Sequence, residues 1–244
     1  MATEEACDVL PVPKFTPEYT SKGEFELVEN RKVYITGNRK ATWAVVAIYD
    51  VFGFSKQVFQ GADFLATGSS NAPLVLIPDF FNGEPLGSEK VPRDDPEITA
   101  AWRVKNAPEK QLAYLQTVFD WVKNTFPTVR VAGLYGFCWG GKLAILAAKN
   151  NIVGAISLIH PSRLEALDAD GIEDTPVLLI ASNGEDEEKL NPLLQKLRKV
   201  TYIRFDDVHH GFAAARGDWS VPLQKQRAEE ALQKTNEFFV KHLL

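Results

Sequence analysis

Cys138 stands in the run Gly136-Phe137-Cys138-Trp139-Gly140, after the apolar stretch RVAGLY and before the apolar segment GKLAILAAK. A nucleophile framed by glycines at a strand-to-helix junction has the spacing of a turn that lifts one side chain clear of the backbone. The residue on such a turn takes strained dihedral angles, and helix and strand approach too closely for side chains at the flanking positions. The helix start behind it offers N–H donors and a partial positive charge, which favour a thiolate and later an oxyanion. Two other readings compete. Free cysteine is a common small core residue, and a glycine-rich junction can cradle a phosphate. GFCWGGK lacks the G-x-x-x-x-G-K-[ST] spacing, however, with Leu143 in the hydroxyl position, and the G-x-G-x-x-G dinucleotide pattern is absent.

A nucleophile on this turn needs a base and an orienting acid, and the fold that uses the turn places them downstream in the order nucleophile, acid, histidine. His209 and His210, in FDDVHHGFAAARGD, precede the last amphipathic segment; adjacent residues point apart, so one of the two serves. His160, at the end of GAISLI, is a rival near the same rim, but it precedes every acid candidate. His242 is most simply solvated. The segment ASNGEDEE, 181–188, offers four acids in succession. An acidic run at a helix start often only complements the helix dipole. Asp186, two residues after Gly184, is the expected acid, with Glu185 as the alternative.

The elements that must hold these residues are legible in the hydropathy pattern. Apolar runs at 33–36, 43–49, 73–78, 129–135, 152–159, 177–181 and 201–205 suit strands buried on both faces of a parallel sheet. Helical periodicity fills 55–67, 108–125, 140–149, 186–199 and 221–242. The alternation predicts a doubly wound, mostly parallel α/β sheet with helices on both faces, its ligand site outside the carboxyl ends of the strands. The Pro- and charge-rich stretch 80–97 reads as a loop excursion near that rim. Residues 1–22, with Pro11, Pro13 and Pro17, read as an irregular leader, and 23–244 as a single domain.

Composition narrows the function classes. The chain has 244 residues, 45% of them apolar, enough for a sizeable core. A net charge of -5 without clustered Lys and Arg gives no support for a nucleic-acid partner. No apolar run has the length of a membrane span, and no secretion signal is visible at the start, so a soluble cytoplasmic protein is expected. The two cysteines, Cys7 and Cys138, make neither a disulfide framework nor zinc-ligand spacing.

Together, G-x-C-x-G-G, Gly-x-Asp after the next-but-one strand, and His-Gly-Phe before the last helix resemble the dienelactone hydrolase family of the α/β-hydrolase superfamily. Tyr49-Asp50-Val51-Phe52-Gly53 looks like that family's E-I-F-G segment, and PDFFNGEP, 78–85, resembles its eukaryotic and fungal-type branch. The resemblance spans roughly residues 25–244. It implies that Cys138 attacks an acyl carbonyl, His210 acts as base then acid, and Asp186 holds the imidazole. The backbone N–H groups of Val51 and Trp139 would form the oxyanion hole. Asp50 takes the place of the family's thiol-gating carboxylate, one methylene shorter. Ala214 stands where bacterial members carry a carboxylate-binding arginine, so Arg216 is the nearest candidate. Arg93 and Arg103, in the excursion, are read as surface arginines. Phe52, Phe80, Phe81 and Trp139 are candidates to wall a substrate pocket, with His160 beside them.

The implied activity is cysteine-dependent hydrolysis of a small ester or enol-lactone through an acyl-enzyme, without cofactor or metal. The expected partner is the small-molecule substrate, with the chain a monomer or weak homodimer. A thioesterase or general carboxylesterase, a catalytically silent binding module and a redox-sensing thiol are the alternatives.

Overall fold

A computed structural model describes residues 18–68 and 71–244. Residues 1–17, with Cys7 and the prolines of the expected leader, lie outside the described residues. Among the described residues eight strands form one sheet: β1 Glu24–Val28, β2 Arg31–Thr36, β3 Trp43–Ile48, β4 Leu74–Pro78, β5 Val131–Phe137, β6 Ile156–Ile159, β7 Val177–Ser182 and β8 Val200–Phe205. Their spatial order is β1-β2-β4-β3-β5-β6-β7-β8. The β1, β2 and β4 pairings are antiparallel, and every pairing from β4–β3 to β7–β8 is parallel. β3, β4 and β7 (WAVVAI, LVLIP, VLLIAS) are buried along their whole length, as strands covered on both faces must be.

Helices α1 Lys56–Thr67 and α6 Pro222–Leu243 pack on each other and on the sheet, and α3 Leu112–Thr125 and α4 Trp139–Lys149 form a second such pair. α2 Pro96–Lys105 and α5 Glu187–Lys196 complete the set. Capping fixes several starts: Ser55 Oγ accepts from the Val58 N–H at 3.2 Å, and Asp95 accepts from Glu97 and Ile98 at 3.0 Å. No helix among the described residues is long and apolar enough to cross a membrane.

The register aligns the carboxyl ends of the parallel strands. Ile48 pairs with Gly136, Phe137 with Ile159, Ile180 with Ile203 and Ser182 with Phe205. The residues that follow these strands therefore emerge on one rim, where ligand sites of doubly wound sheets form.

Three elements differ from the sequence expectation. β1 alternates with its large apolar residues Phe25 and Leu27 exposed at the sheet edge, so it contains no apolar run. The expected strand 152–159 narrows to Ile156–Ile159, because the Ile152 N–H still serves the carboxyl end of α4, bonding Ala147 O at 3.0 Å. The excursion 80–97 is turns and bends until Asp95 caps α2.

Candidate active site

Cys138 sits between β5 and α4 at φ +50° and ψ −111°, a conformation L-residues adopt only when their surroundings enforce it, at about 1–3 kcal/mol. The surroundings do enforce it. Its N–H donates to Ile159 O at 3.3 Å, and its carbonyl accepts from Gly141 at 3.0 Å and Ser162 at 3.1 Å. The glycine frame follows from sterics. A Cβ on Gly136 would lie 2.1 Å from Gly140 O, and one on Gly140 would lie 2.5 Å from Ile48 O. The thiol is 1% exposed.

His210 comes from the loop after β8 and is equally buried. Its ring hydrogen-bonds the Cys138 thiol, and its Nδ1 lies 2.5 Å from Glu185 Oε1. The other Glu185 oxygen accepts from the Ser182 N–H, which fixes the carboxylate against the end of β7. Burial opposes a charged imidazole here. The negative Cys138 sulfur, hydrogen-bonded to the ring, and then Glu185 outweigh burial and push the histidine up to about 10. His209 Nδ1 turns instead to the His210 carbonyl, 2.8 Å away.

Of the two acids weighed in the sequence, the alternative, Glu185, is the one in contact with the histidine. Asp186 is the N-cap of α5, its carboxylate accepting from Glu188 N–H at 3.0 Å on an exposed turn. That cap directs its side chain along the helix start, away from the histidine. Glu185, immediately after Gly184, reaches the ring. Gly184 permits the approach, since a Cβ there would stand 2.7 Å from the His210 Cβ.

Asp50, after β3, is 2% exposed and accepts from Phe52 N–H at 2.9 Å and Ala215 N–H at 3.2 Å. It thus ties the first rim loop to the histidine loop. Burial first, then the charge of Cys138, push its carboxyl up to about 7, against the backbone donors and His210, which favour ionisation.

A cavity of about 460 Å³ opens at the thiol, lined by Val51, Trp102, Arg103, Asn106, Cys138 and Trp139 and by Lys142, Ser162, Arg163 and Glu165. The two residues expected to supply oxyanion N–H groups, Val51 and Trp139, are thus on its wall. The other expected pocket residues are not. Phe80 and Phe81 lie behind the Trp139 ring, with centroids 5.9 and 4.8 Å away. Phe52 packs under the Arg93 guanidinium, 5.4 Å from its centroid. Arg216 is buried and donates from Nη1 to the His210 carbonyl at 2.9 Å, so it braces the histidine loop. His160 is fully buried between Phe137 and Phe212, its ring edge-to-face on His210 at 5.0 Å, and burial holds it well below the ordinary imidazole value. Arg103, read as a surface residue, lines the cavity because α2 folds over the rim. The Trp139 indole holds that segment, donating to Asn106 O at 3.0 Å. The Asp95-Pro96 pair was the available signal for α2, an N-cap followed by proline at N1. Ser162 and Arg163, after β6, carried no sequence signal.

Lys142 reaches Asp168 with both oxygens at 2.8 Å, so its charge is engaged on the cavity wall. Among the described residues no group of three or more His, Cys, Asp and Glu has a metal-holding arrangement. The arrangement brings together a buried thiol, an imidazole in contact with it, a carboxylate on the far nitrogen of that imidazole, and a helix start at a cavity wall, the groups that acyl-transfer chemistry requires.

Comparison with known proteins agrees with this architecture. The model of the dienelactone hydrolase family matches residues 32–243. An uncharacterized AIM2 family protein of Schizosaccharomyces pombe (strain 972 / ATCC 24843) is 34% identical over 237 residues, spanning 91% of this chain and 92% of that protein. A carboxymethylenebutenolidase homolog of Xenopus tropicalis is 23% identical and covers 93% of both chains. Among solved structures, a dienelactone hydrolase from Anabaena variabilis ATCC 29413 matches with a TM-score of 0.64 at 16% identity, over 92% of this chain and 99% of that one. The fold is that of the α/β-hydrolases.

Proposed function

The chain belongs to the dienelactone hydrolase family, and from that premise we propose that it hydrolyses small esters or enol-lactones through an acyl-enzyme on Cys138. The observation that carries the reading is the buried chain Cys138–His210–Glu185, with the cysteine held at φ +50° beneath an open cavity.

In the resting site the thiolate faces an imidazolium. The sulfur attacks the acyl carbonyl, and the oxyanion forms against the Val51 N–H in the loop after β3 and the Trp139 N–H at the start of α4. Collapse breaks the C–O bond, and His210 passes its proton to the departing oxygen. The now neutral His210 takes a proton from water as that water attacks the thioester. The second collapse releases the acid, regenerating thiolate and imidazolium. Glu185 keeps Nδ1 protonated, so that Nε2 is the nitrogen that exchanges protons with sulfur, leaving group and water.

Thiolate is a better leaving group than a simple alkoxide, so the first tetrahedral intermediate partitions forward best when the leaving oxygen is stabilised. Enol-lactones, enol esters, aryl esters and thioesters meet that condition better than alkyl esters or amides. Turnover of p-nitrophenyl acetate and an enol-lactone panel by wild type, Cys138→Ala, Cys138→Ser and His210→Ala tests the assignment. Cys138→Ala and His210→Ala are expected to lose activity by three or more orders of magnitude, of the order seen when a catalytic triad is broken. Full activity in Cys138→Ala, or no turnover of any substrate by wild type, overturns it.

A further inference from the structure

Resting on Cys138 as nucleophile, we infer that the Ser162 hydroxyl is a second hydrogen-bond donor to the Cys138 thiolate, a catalytic contact supplied by the loop after β6 rather than by the histidine and acid loops. Ser162 Oγ lies 3.5 Å from Cys138 Sγ, within hydrogen-bonding range for sulfur, and Sγ is its one hydrogen-bond partner among the described residues. With a neutral thiol the S–H can donate to Oγ; with a thiolate the hydroxyl must donate to sulfur.

The placement is fixed by backbone, so it does not depend on a side-chain rotamer alone. Ser162 N–H donates to the Cys138 carbonyl at 3.1 Å, while Cys138 N–H donates to Ile159 O at 3.3 Å. The elbow peptide and segment 159–162 are thereby clamped at both ends. The same segment touches the base: two residues earlier, His160 sets its ring edge-to-face on His210 at 5.0 Å. One short loop therefore contacts both members of the nucleophile–base pair. Ser162 is 6% exposed and lines the substrate cavity. Its donor thus works at low dielectric, where a hydrogen bond to an anion is worth more than in water.

The consequence differs along the reaction. The donor stabilises the resting thiolate and the thiolate expelled when the acyl-enzyme hydrolyses, and it has no charge to stabilise while the sulfur is a thioester. The other charged groups facing the sulfur are His210, which favours the anion, and Asp50, which opposes it when ionised. The cavity lining adds Arg103, Lys142, Arg163, Glu109 and Glu165. These remain unchanged by substitutions at Ser162, so a shift in thiol ionisation between variants reports the hydroxyl.

Iodoacetamide alkylation of the full chain, followed from about pH 5 to pH 10 by mass mapping of the peptide that contains Cys138 and not Cys7, reads the thiolate fraction of Cys138 directly. Wild type is expected to titrate well below the free-cysteine value of about 8.5. Ser162→Ala and Ser162→Gly are each expected to raise the midpoint by roughly one pH unit, a tenfold loss of thiolate on the acid side, while Ser162→Thr stays with wild type. The acid limb of kcat/KM should move by the same amount, and thermal melting identifies any variant that fails to fold. If Ser162→Ala and Ser162→Gly superimpose on a low wild-type curve, the serine inference is wrong and the nucleophile reading stands. A Ser162→Thr curve displaced as far as that of alanine also overturns it, since the hydroxyl is then not what matters. A wild type that titrates near 8.5 removes the nucleophile reading itself.

Discussion

Asp50→Asn converts the carboxylate beside Cys138 into a neutral group of nearly the same shape, and its effect on stability should reverse sign with pH. In the folded chain the carboxyl is pushed up to about 7 from its ordinary 3.8, by burial and then by the charge of Cys138. A raised folded-state value means that the folded chain binds the proton more tightly than the unfolded one. The stability from this group is therefore fully present below about pH 4 and is lost as pH rises through about 7. The separation of about three units corresponds to a swing of roughly 4 kcal/mol, as an upper bound. Asparagine does not titrate, but its amide leaves one of the two donors, Phe52 N–H or Ala215 N–H, facing an NH₂ instead of an oxygen. That costs about 1–2 kcal/mol at every pH. Near pH 4 the variant should be less stable than wild type by that amount, and near pH 8 more stable by about 2 kcal/mol. Urea unfolding followed by tryptophan fluorescence at stepped pH measures the difference. A second series in a Cys138→Ser background should show a smaller swing of the same sign, because burial, the larger cause, remains. A difference that stays flat from pH 4 to pH 8 refutes the buried-carboxylate reasoning.

The one-residue choice between acids gives a paired test. Glu185→Gln should lower kcat by roughly two to four orders of magnitude with little loss of fold, as removal of an orienting carboxylate does. Asp186→Ala should leave kcat near wild type and cost about 0.5–2 kcal/mol of stability as a lost N-cap, measured by chemical denaturation. Gly184→Ala forces a Cβ to within 2.7 Å of the His210 Cβ. The histidine loop must shift, so kcat is expected to fall about a hundredfold with KM less affected, since small displacements of catalytic groups have effects of that size.

How much of this was legible in the sequence depended on where each constraint resides. The Cys138 turn was legible because its glycines are a local steric demand: Gly136 and Gly140 face backbone oxygens at distances no side chain tolerates. The buried strands were legible because burial on both faces requires apolar residues at consecutive positions, as in β7. β1 escaped notice because an edge strand needs neither. Which carboxylate meets His210 was not legible because it is decided across 25 residues, once Asp186 has capped α5 and Glu185 is left to reach the ring. The cavity wall was least legible. Arg103, Ser162 and Arg163 come from α2 and the loop after β6, and meet Cys138 only through the strand order and the fold of the excursion. Phe80 and Phe81 could not be assigned to core or pocket from the sequence, since aromatic residues at the rim serve equally well as packing, and both rings contact Trp139.

The most direct measurement of the central claim is acid-quench trapping of the intermediate. Wild type is mixed with p-nitrophenyl acetate, quenched on the timescale of the first turnovers, digested and mapped by mass spectrometry. An acetyl thioester on the peptide containing Cys138, with a matching burst of p-nitrophenol that is absent from Cys138→Ala, is the expected result. Turnover without acyl label on Cys138, or a burst that survives in Cys138→Ala, contradicts it.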